Sequence, residues 1–159
     1  MTEEDQVRLS VVTEARSWLG TPYKSNAMVK GRVGGGVDCA MLLIGVYQPL
    51  NLMFGDYRDP RPYPPQWHVH RNEERYMDEV LKYAIEVPGP PQRIPKAGDL
   101  VMFNLAKVFA HGAIITSWPN VIHAIGNNAV QEEDISKNTI GKRALWTVPR
   151  KFFTPKAFA

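Results

Sequence analysis

Apolar residues near the start of the chain recur every three or four positions, which is the spacing of an amphipathic helix. The pattern predicts a helix over residues 3–19, with Thr2 as its cap and Gly20 as its stop. Its apolar face consists of Val7, Val11, Ala15 and Trp18. A loop is predicted over 20–37, and it ends in a run of glycines.

A second segment, residues 38–48, is apolar on nearly every side. A helix without a polar face is a buried helix, so this segment predicts a helix in the core. Pro49 lies at or just past its end, because proline cannot continue a helix.

The middle of the chain is rich in proline. Residues 55–70 and 88–98 are therefore predicted to be extended and irregular. Residues 72–87, between them, predict another amphipathic helix. Its apolar side is formed by Tyr76, Val80, Leu81 and Ala84.

Short runs with β-branched and aromatic residues follow from Gly98 onward. The predicted strands are 99–104, 110–117, 120–125, 129–134 and 144–149, with turns at 118–119 and 126–128. Helices first and strands after indicate an α+β domain with an antiparallel sheet. Neither a repeat nor a boundary divides the chain, so residues 1–159 are expected to form a single domain.

Composition and charge narrow the function classes. The chain has 44% apolar and 22% charged residues, which is typical of a globular protein. Its net charge of +3 comes from scattered lysines and arginines, whereas a nucleic-acid binder usually clusters them. The charge is better suited to an anionic surface such as a bacterial envelope. No apolar run is long enough for a membrane span, and the acidic N-terminus lacks the pattern of a signal peptide.

The chain contains one cysteine, so an internal disulfide is excluded. Cys39 stands at the predicted start of the buried helix, directly after the glycines and Asp38. The N–H groups and the positive dipole end of a helix lower a thiol pKa, and they can also bind an oxyanion. Asp38 suits the N-cap position. The alternative is an inert, buried cysteine.

Two of the four histidines lie in neighbouring predicted strands. His111 and His123 flank a tight turn, so they are expected to lie in a hairpin within a few positions of being opposite, and a suitable register would place them on one face. One ring can then take the thiol proton while the other fixes its tautomer. Two structural histidines are the plainer alternative. Zinc binding by Cys39, His111 and His123 ranks lower, because no close ligand pair nucleates such a site.

Five segments, in this order and spacing, resemble the NlpC-type cell-wall peptidases over about residues 7–150. They are 15–23 (ARSWLGTPY), 36–39 (GVDC), 97–103 (AGDLVMF), 111–114 (HGAI) and 122–124 (IHA). The resemblance implies a papain-like α+β fold, with N-terminal helices packed on a five- to six-stranded antiparallel sheet. It also implies hydrolysis of an amide bond in the peptidoglycan stem peptide, often after D-glutamate, without a metal or other cofactor.

The resemblance assigns roles to particular residues. It implies a catalytic triad of Cys39, His111 and His123. Tyr23 matches the family tyrosine near the nucleophile, which orients the site or touches substrate. Asp38 and Ala40 flank the nucleophile. Ala40 stands where many members have serine, so the substrate contact of that serine is not expected here.

The similarity is greatest to the phage branch of the family. Residues 63–70 (YPPQWHVH) resemble the Pro- and Trp-bearing insertion of those members, whose genes lie among the tail genes of phages and gene-transfer particles. His68 and His70 within it are interpreted as structural or rim residues. This implies tail-tip or baseplate partners and a protein that is cytoplasmic during assembly and then part of the virion. A structural tail component with little activity, and acyl transfer or amidase chemistry on the same triad, remain alternatives.

Overall fold

The computed structural model describes most of the chain. The described residues are 1–53, 57–63, 74–105, 107–137, 139–140 and 143–159. Within these ranges the architecture is α+β, with helices against an antiparallel sheet of six strands, as the sequence predicts.

The helices precede most of the strands. The α-helices are α1 (Glu3–Arg16), α2 (Cys39–Tyr47) and α3 (Arg75–Val80), and short 3-10 helices cover Gln48–Leu50, Leu145–Thr147 and Lys156–Phe158. The strands are β1 (Met28–Val29), β2 (Gly36–Val37), β3 (Ala84–Val87), β4 (Leu100–Asn104), β5 (Phe109–Ser117), β6 (Asn120–Ala124), β7 (Val130–Asp134), β8 (Thr139–Ile140), β9 (Arg143–Ala144) and β10 (Arg150–Pro155). None of these described helices is both long and apolar enough to cross a membrane.

The main sheet has the strand order β3-β10-β4-β5-β6-β7 within the described ranges, and every neighbouring pair in it is antiparallel. Strands β5, β6 and β7 follow one another both along the chain and across the sheet. Side chains from these three strands can therefore meet on one face. The short pairs β1-β2 and β8-β9 lie outside this sheet.

Helix α1 begins as predicted and ends earlier than predicted. The Thr2 hydroxyl accepts a hydrogen bond from Asp5 N at 3.0 Å, and Asp5 Oδ2 accepts one from Thr2 N at 3.1 Å, which is a capping box. The helix ends at Arg16 rather than at residue 19. Gly20 adopts a φ of +85° and donates its N–H to Val130 O, so this segment turns toward β7 instead of continuing the helix.

Helix α2 is the buried helix that the sequence predicts. All residues from 40 to 47 are buried. They pack against residues on one face of the sheet, which include Leu100, Met102, Ile114 and Ile122. The sheet thus holds α2 in a fixed position against β5, and this position determines where its N-terminus lies.

Two predicted elements are wrong, and both errors concern one edge of the sheet. Residues 72–73 of the predicted helix 72–87 lie outside the described residues; in the described part the α-helix covers Arg75–Val80, and Ala84–Val87 forms strand β3 instead. The predicted strand 144–149 is also wrong, because Leu145–Thr147 forms a 3-10 helix and the strand is Arg150–Pro155. Strand β10 supplies the hydrogen bonds that make β3 a strand. The predicted loop 20–37 also contains the short pair β1-β2.

A buried ion pair fastens α1 to the sheet. Arg8 is only 4% exposed and Asp99 is fully buried. The guanidinium of Arg8 donates to Asp99 Oδ1 at 2.8 Å, to Ala97 O at 3.0 Å and to Thr154 Oγ1 at 3.1 Å. Arg93 donates to the other oxygen of Asp99 at 2.7 Å. The two carboxylate oxygens of Asp99 are therefore each paired with a cation.

Candidate active site

The nucleophile candidate stands at the position that the sequence predicts. Cys39 is the first residue of α2, and the extended backbone of Asp38 forms the N-cap. The Asp38 carboxylate accepts hydrogen bonds at 2.8 Å from the N–H of Met41 and at 2.8 Å from that of Asn26. The cap thus fixes the start of the helix and the loop before it in one arrangement. Cys39 itself keeps partial exposure.

The backbone of β5 runs past the sulfur of Cys39. The thiol lies 3.9 Å from the carbonyl oxygen of Ala110, and the N–H of Gly112 hydrogen-bonds to the sulfur. These two residues flank His111 in the sequence. The contacts therefore bring the His111 segment of the strand directly beside the thiol.

Gly112 is required by the packing between α2 and β5. A Cβ atom at this position would lie 2.5 Å from the hydroxyl of Tyr76 and 3.1 Å from Leu43 Cδ1. The Tyr76 hydroxyl instead occupies this space and donates to the carbonyl oxygen of Cys39 at 2.9 Å. The same hydroxyl lies near the thiol and lowers its pKa, so Tyr76 acts on both the backbone and the side chain of Cys39. The apolar pattern of residues 72–87 indicates for Tyr76 only a place on a helix face, so this role is visible only in the structure.

The two histidines of the hairpin form a direct pair. Nε2 of His111 lies 2.9 Å from Nδ1 of His123, and their ring centroids are 5.1 Å apart. The register pairs Ile114 with Ile122 and Ile115 with Val121, which brings the histidines nearly opposite on one face. The predicted hairpin is thus confirmed, and its register is one that places both histidines on the same face. His123 is fully buried.

A glutamate that the sequence pattern does not single out lies next to the histidine pair. Nε2 of His123 lies 2.8 Å from Oε2 of Glu133 in β7. The register pairs His123 with Gln131 and Val121 with Glu133, so Glu133 is a diagonal neighbour on the same face. The acidic residues of the predicted strand 129–134 were the available signal, but only the register between β6 and β7 selects Glu133.

The protonation state of the thiol differs from the prediction. The helix start was expected to lower the pKa of Cys39. Although the residue keeps partial exposure, the groups packed around its sulfur desolvate the thiol and raise its pKa to about 12, and the carboxylate of Asp38 adds to the rise. Hydrogen bonds from Gly112, Tyr76 and Ala40 lower the pKa but do not offset burial. The resting thiol is therefore protonated at neutral pH, and its attack on a carbonyl requires a base.

We expect iodoacetamide to alkylate Cys39 slowly at pH 7 and about tenfold faster for each added pH unit, because only the thiolate reacts. The rate constant is measured by mass spectrometry between pH 6 and 9. The Cys39→Ala variant lacks any thiol and supplies the background. A rate that is already fast and constant near neutral pH would contradict a protonated resting thiol.

Three further predicted residues surround Cys39. Tyr23 forms a bridge with Val37, and burial raises the pKa of its phenol, with Cys39 and Asp38 adding to the rise. Ala40 is buried and donates its N–H to the thiol. Tyr23, Asp38 and Ala40 are thus all brought to the thiol by the fold, together with the segment that carries His111.

Tyr63, the first residue of the insertion at 63–70, is tied to the same site. The hydroxyl of Tyr63 donates to the carboxylate of Asp38. Asn26 clamps the backbone of Tyr63, because its side chain accepts from Tyr63 N at 2.9 Å and donates to Tyr63 O at 2.8 Å. Tyr63 therefore forms part of the wall around the Cys39 end of α2. The rest of the insertion, with His68 and His70, lies outside the described residues.

The zinc alternative is disfavoured by the geometry of the histidine pair. The nitrogen atoms of His111 and His123 that face each other share a hydrogen bond, and the other nitrogen of His123 is bonded to Glu133. His123 therefore has no lone pair directed toward Cys39. The described part of the chain also has no cluster of three His, Cys, Asp or Glu side chains suited to a metal ion.

Solved structures with the same fold are NlpC/p60 domains. NlpC1 from Trichomonas vaginalis is similar with a TM-score of 0.57 and 18% identity, over 96% of this chain and 43% of NlpC1. RipD from Mycobacterium tuberculosis, a non-catalytic NlpC/p60 domain protein adapted to peptidoglycan binding, has a TM-score of 0.55 and 16% identity, over 92% of this chain and 95% of RipD. The peptidoglycan hydrolase RipB from Mycobacterium tuberculosis has a TM-score of 0.53 and 18% identity, over 97% of this chain and 67% of RipB.

These similarities establish the fold. The chain has the papain-like α+β fold of NlpC/p60 domains, which confirms the predicted fold class. The chain spans less than half the length of NlpC1 (43%). Neither a family model nor a curated protein matches it by sequence.

Proposed function

We propose that this chain is a cysteine peptidase that hydrolyses amide bonds in the stem peptide of peptidoglycan. The observation that carries the proposal is the hydrogen-bonded pair of His111 and His123, on a strand hairpin whose backbone contacts the thiol of Cys39. Nucleophilic attack on a carbonyl by a thiol needs a base near the sulfur, and the contacts of the thiol with the backbone on both sides of His111 support His111 in that role. The fold it shares with RipB, a peptidoglycan hydrolase, supports the choice of substrate class.

The proposed mechanism begins from the protonated thiol. The sulfur of Cys39 attacks the scissile carbonyl carbon as its proton passes to His111, while His123 holds the His111 ring in place. Backbone N–H groups at the start of α2 stabilise the oxyanion. His111 then gives the proton to the leaving amine, and a thioester remains. Water, deprotonated by His111, releases the acid and restores the thiol.

The finer assignment follows the sequence resemblance. We propose cleavage after D-glutamate, by residues 1–159 acting as one peptidase domain in the tail of a phage or related particle. The order of the motifs and the insertion at 63–70 support this assignment. The protein would then be cytoplasmic during assembly, join tail-tip or baseplate proteins in the virion, and act at the envelope of the next host.

A second candidate is a structural tail component that keeps this fold with weak or no activity. Two observations favour it. The pKa of the Cys39 thiol is raised, which disfavours a ready nucleophile, and RipD shows that the same fold occurs in a non-catalytic protein. Such a component could bind stem peptides at the same site without cleaving them.

Digestion of purified muropeptides separates the two candidates. We expect the wild type to release fragments whose masses together equal the substrate plus one water, and Cys39→Ala to release none, because the nucleophile is absent. Mass spectrometry identifies the bond from the fragments. Ser10→Ala, on the exposed side of α1, is the matched control and should cleave like the wild type.

The outcomes distinguish several cases. Cleavage by Cys39→Ala would show that another residue is the nucleophile. Binding of muropeptides without cleavage by the wild type would favour the structural candidate. Products joined to an added amine, rather than to water, would indicate acyl transfer on the same residues.

A further inference from the structure

A row of three side chains leads from the base candidate across the sheet. His111 Nε2 lies 2.9 Å from His123 Nδ1, and His123 Nε2 lies 2.8 Å from Glu133 Oε2. We propose that Glu133 is a positioning residue that sets the tautomers of both histidines, so that Nδ1 of His111 accepts the thiol proton. The proposal rests on the proposed function for its catalytic consequence, but the tautomers can be observed independently.

The direction of the hydrogen bonds follows from the chemistry of each group. An ionised carboxylate only accepts hydrogen bonds, so His123 must carry its proton on Nε2. A neutral imidazole has one N–H, which leaves Nδ1 of His123 as an acceptor. His111 must then donate from Nε2, and its own Nδ1 carries the lone pair. Glu133 thus determines, through one intervening ring, which nitrogen of His111 is basic.

Without an acceptor at position 133 the opposite arrangement would be as good for the histidine pair. His123 could then carry its proton on Nδ1 and donate it to Nε2 of His111. The hydrogen bond between the rings would be kept, but Nδ1 of His111 would carry a proton and could not accept another. In the histidine pair alone, either ring could donate the hydrogen bond between them. The carboxylate of Glu133 makes His111 the donor.

The charge of Glu133 also serves the next stage of the reaction. When the S–H bond breaks and an N–H bond forms at His111, the histidine pair gains a positive charge. His123 is fully buried, so water cannot stabilise that charge at its ring. A hydrogen-bonded carboxylate at the far end of the pair stabilises it instead. Its side chain is 21% exposed, so Glu133 lies where the row reaches the surface.

The neighbouring residue provides a matched control. Glu132 precedes Glu133 in β7, so its side chain emerges on the other face of the strand. It forms hydrogen bonds with Arg16 at 3.0 and 3.1 Å. Glu132→Gln therefore removes the same charge from the same strand without affecting the histidine row.

The test combines nitrogen-15 NMR of the histidine rings with kinetics on muropeptides. In the wild type both rings should carry their proton on Nε2. In Glu133→Met, which has no acceptor, we expect His111 to move toward the Nδ1–H form and kcat to fall about 10- to 100-fold with little change in KM, because a hydrogen bond to a charged group is lost. Glu133→Gln keeps an acceptor oxygen, so it should retain the tautomers and lose less activity. Glu132→Gln should match the wild type in both measurements.

Each arm can overturn the proposal. Wild-type spectra with the proton on Nδ1 of either ring would contradict it, whether or not any variant folds. So would a folded Glu133→Met with unchanged tautomers and unchanged kcat. If the wild type fails to cleave any muropeptide, the proposed function fails, while the ring spectra still decide whether Glu133 sets the tautomers.

Discussion

His111→Ala is expected to lower kcat/KM on muropeptides by about 10²- to 10⁴-fold, the usual contribution of a general base. The reason lies in the state of the thiol. Burial raises the pKa of Cys39 to about 12, so almost no thiolate exists at neutral pH without a base. In the proposed mechanism His111 is that base, so its removal leaves attack to this very small thiolate fraction.

His123 is expected to contribute less. Its ring contacts His111 and Glu133, so in the proposed mechanism His123 orients the base. We expect His123→Gln to cost about tenfold to 100-fold in kcat/KM, because the amide can still hydrogen-bond to the His111 ring. Initial rates on a defined muropeptide, measured for both variants, give the comparison.

Which of the two variants loses more kcat/KM shows which histidine is the base and which one orients it. Activity of His111→Ala equal to that of the wild type would remove His111 as the base. A larger loss in His123→Gln than in His111→Ala would exchange the two assignments. Thermal unfolding of each variant is the control, because both side chains are buried and either change can destabilise the fold.

Arg8→Met is expected to lower the free energy of unfolding by about 3–5 kcal/mol at pH 7, because it leaves the buried charge of Asp99 without one of its partners. The matched control is Arg16→Met on the same helix. Arg16 pairs with Glu132 at the surface, with side-chain exposures of 54% and 27%, so its loss should cost about 1 kcal/mol or less. Urea unfolding of both variants and the wild type measures the difference.

At acid pH, the difference in the free energy of unfolding between Arg8→Met and the wild type is expected to become smaller. Burial alone would raise the pKa of Asp99, but hydrogen bonds from Arg93, Lys96 N–H, Arg8 and Thr154 outweigh it and hold the pKa below its usual value. A lowered pKa stabilises the fold above the unfolded-state pKa of about 3.9, and this contribution is lost as the pH falls through the folded-state pKa. An effect of Arg8→Met that is equally large at pH 7 and pH 2 would contradict the ion pair as its cause.

Local sequence signals determined much of the site. The apolar segment 38–48 predicts a buried helix, and Asp38 is a residue type that often caps helices, so Cys39 is expected at the first position, where the structure has it. The turn between two apolar strands predicted the hairpin that carries His111 and His123, and the register seen in the structure places both on one face. These features depend on residues close together in the chain, where spacing and capping act directly.

The edge strand β3 could not be determined in the same way. Residues 84–87 have apolar positions that suit the end of a helix as well as a strand. They become a strand because β10 pairs with them from more than sixty positions away along the chain. The backbone hydrogen bonds of a strand are made with a neighbouring strand, whereas those of a helix are made within the helix. An edge strand therefore forms only when the sheet assembles.

The residues of the candidate site can likewise be separated into those predicted from local sequence and those found only in the tertiary structure. The sequence by itself determined which residues are the nucleophile candidate and the two histidines, because their positions follow from local elements. Only the tertiary structure decided that the thiol is protonated and that Glu133 and Tyr63 contact the site. Burial and the distance between charges set a pKa, and these quantities exist only once distant segments have packed together.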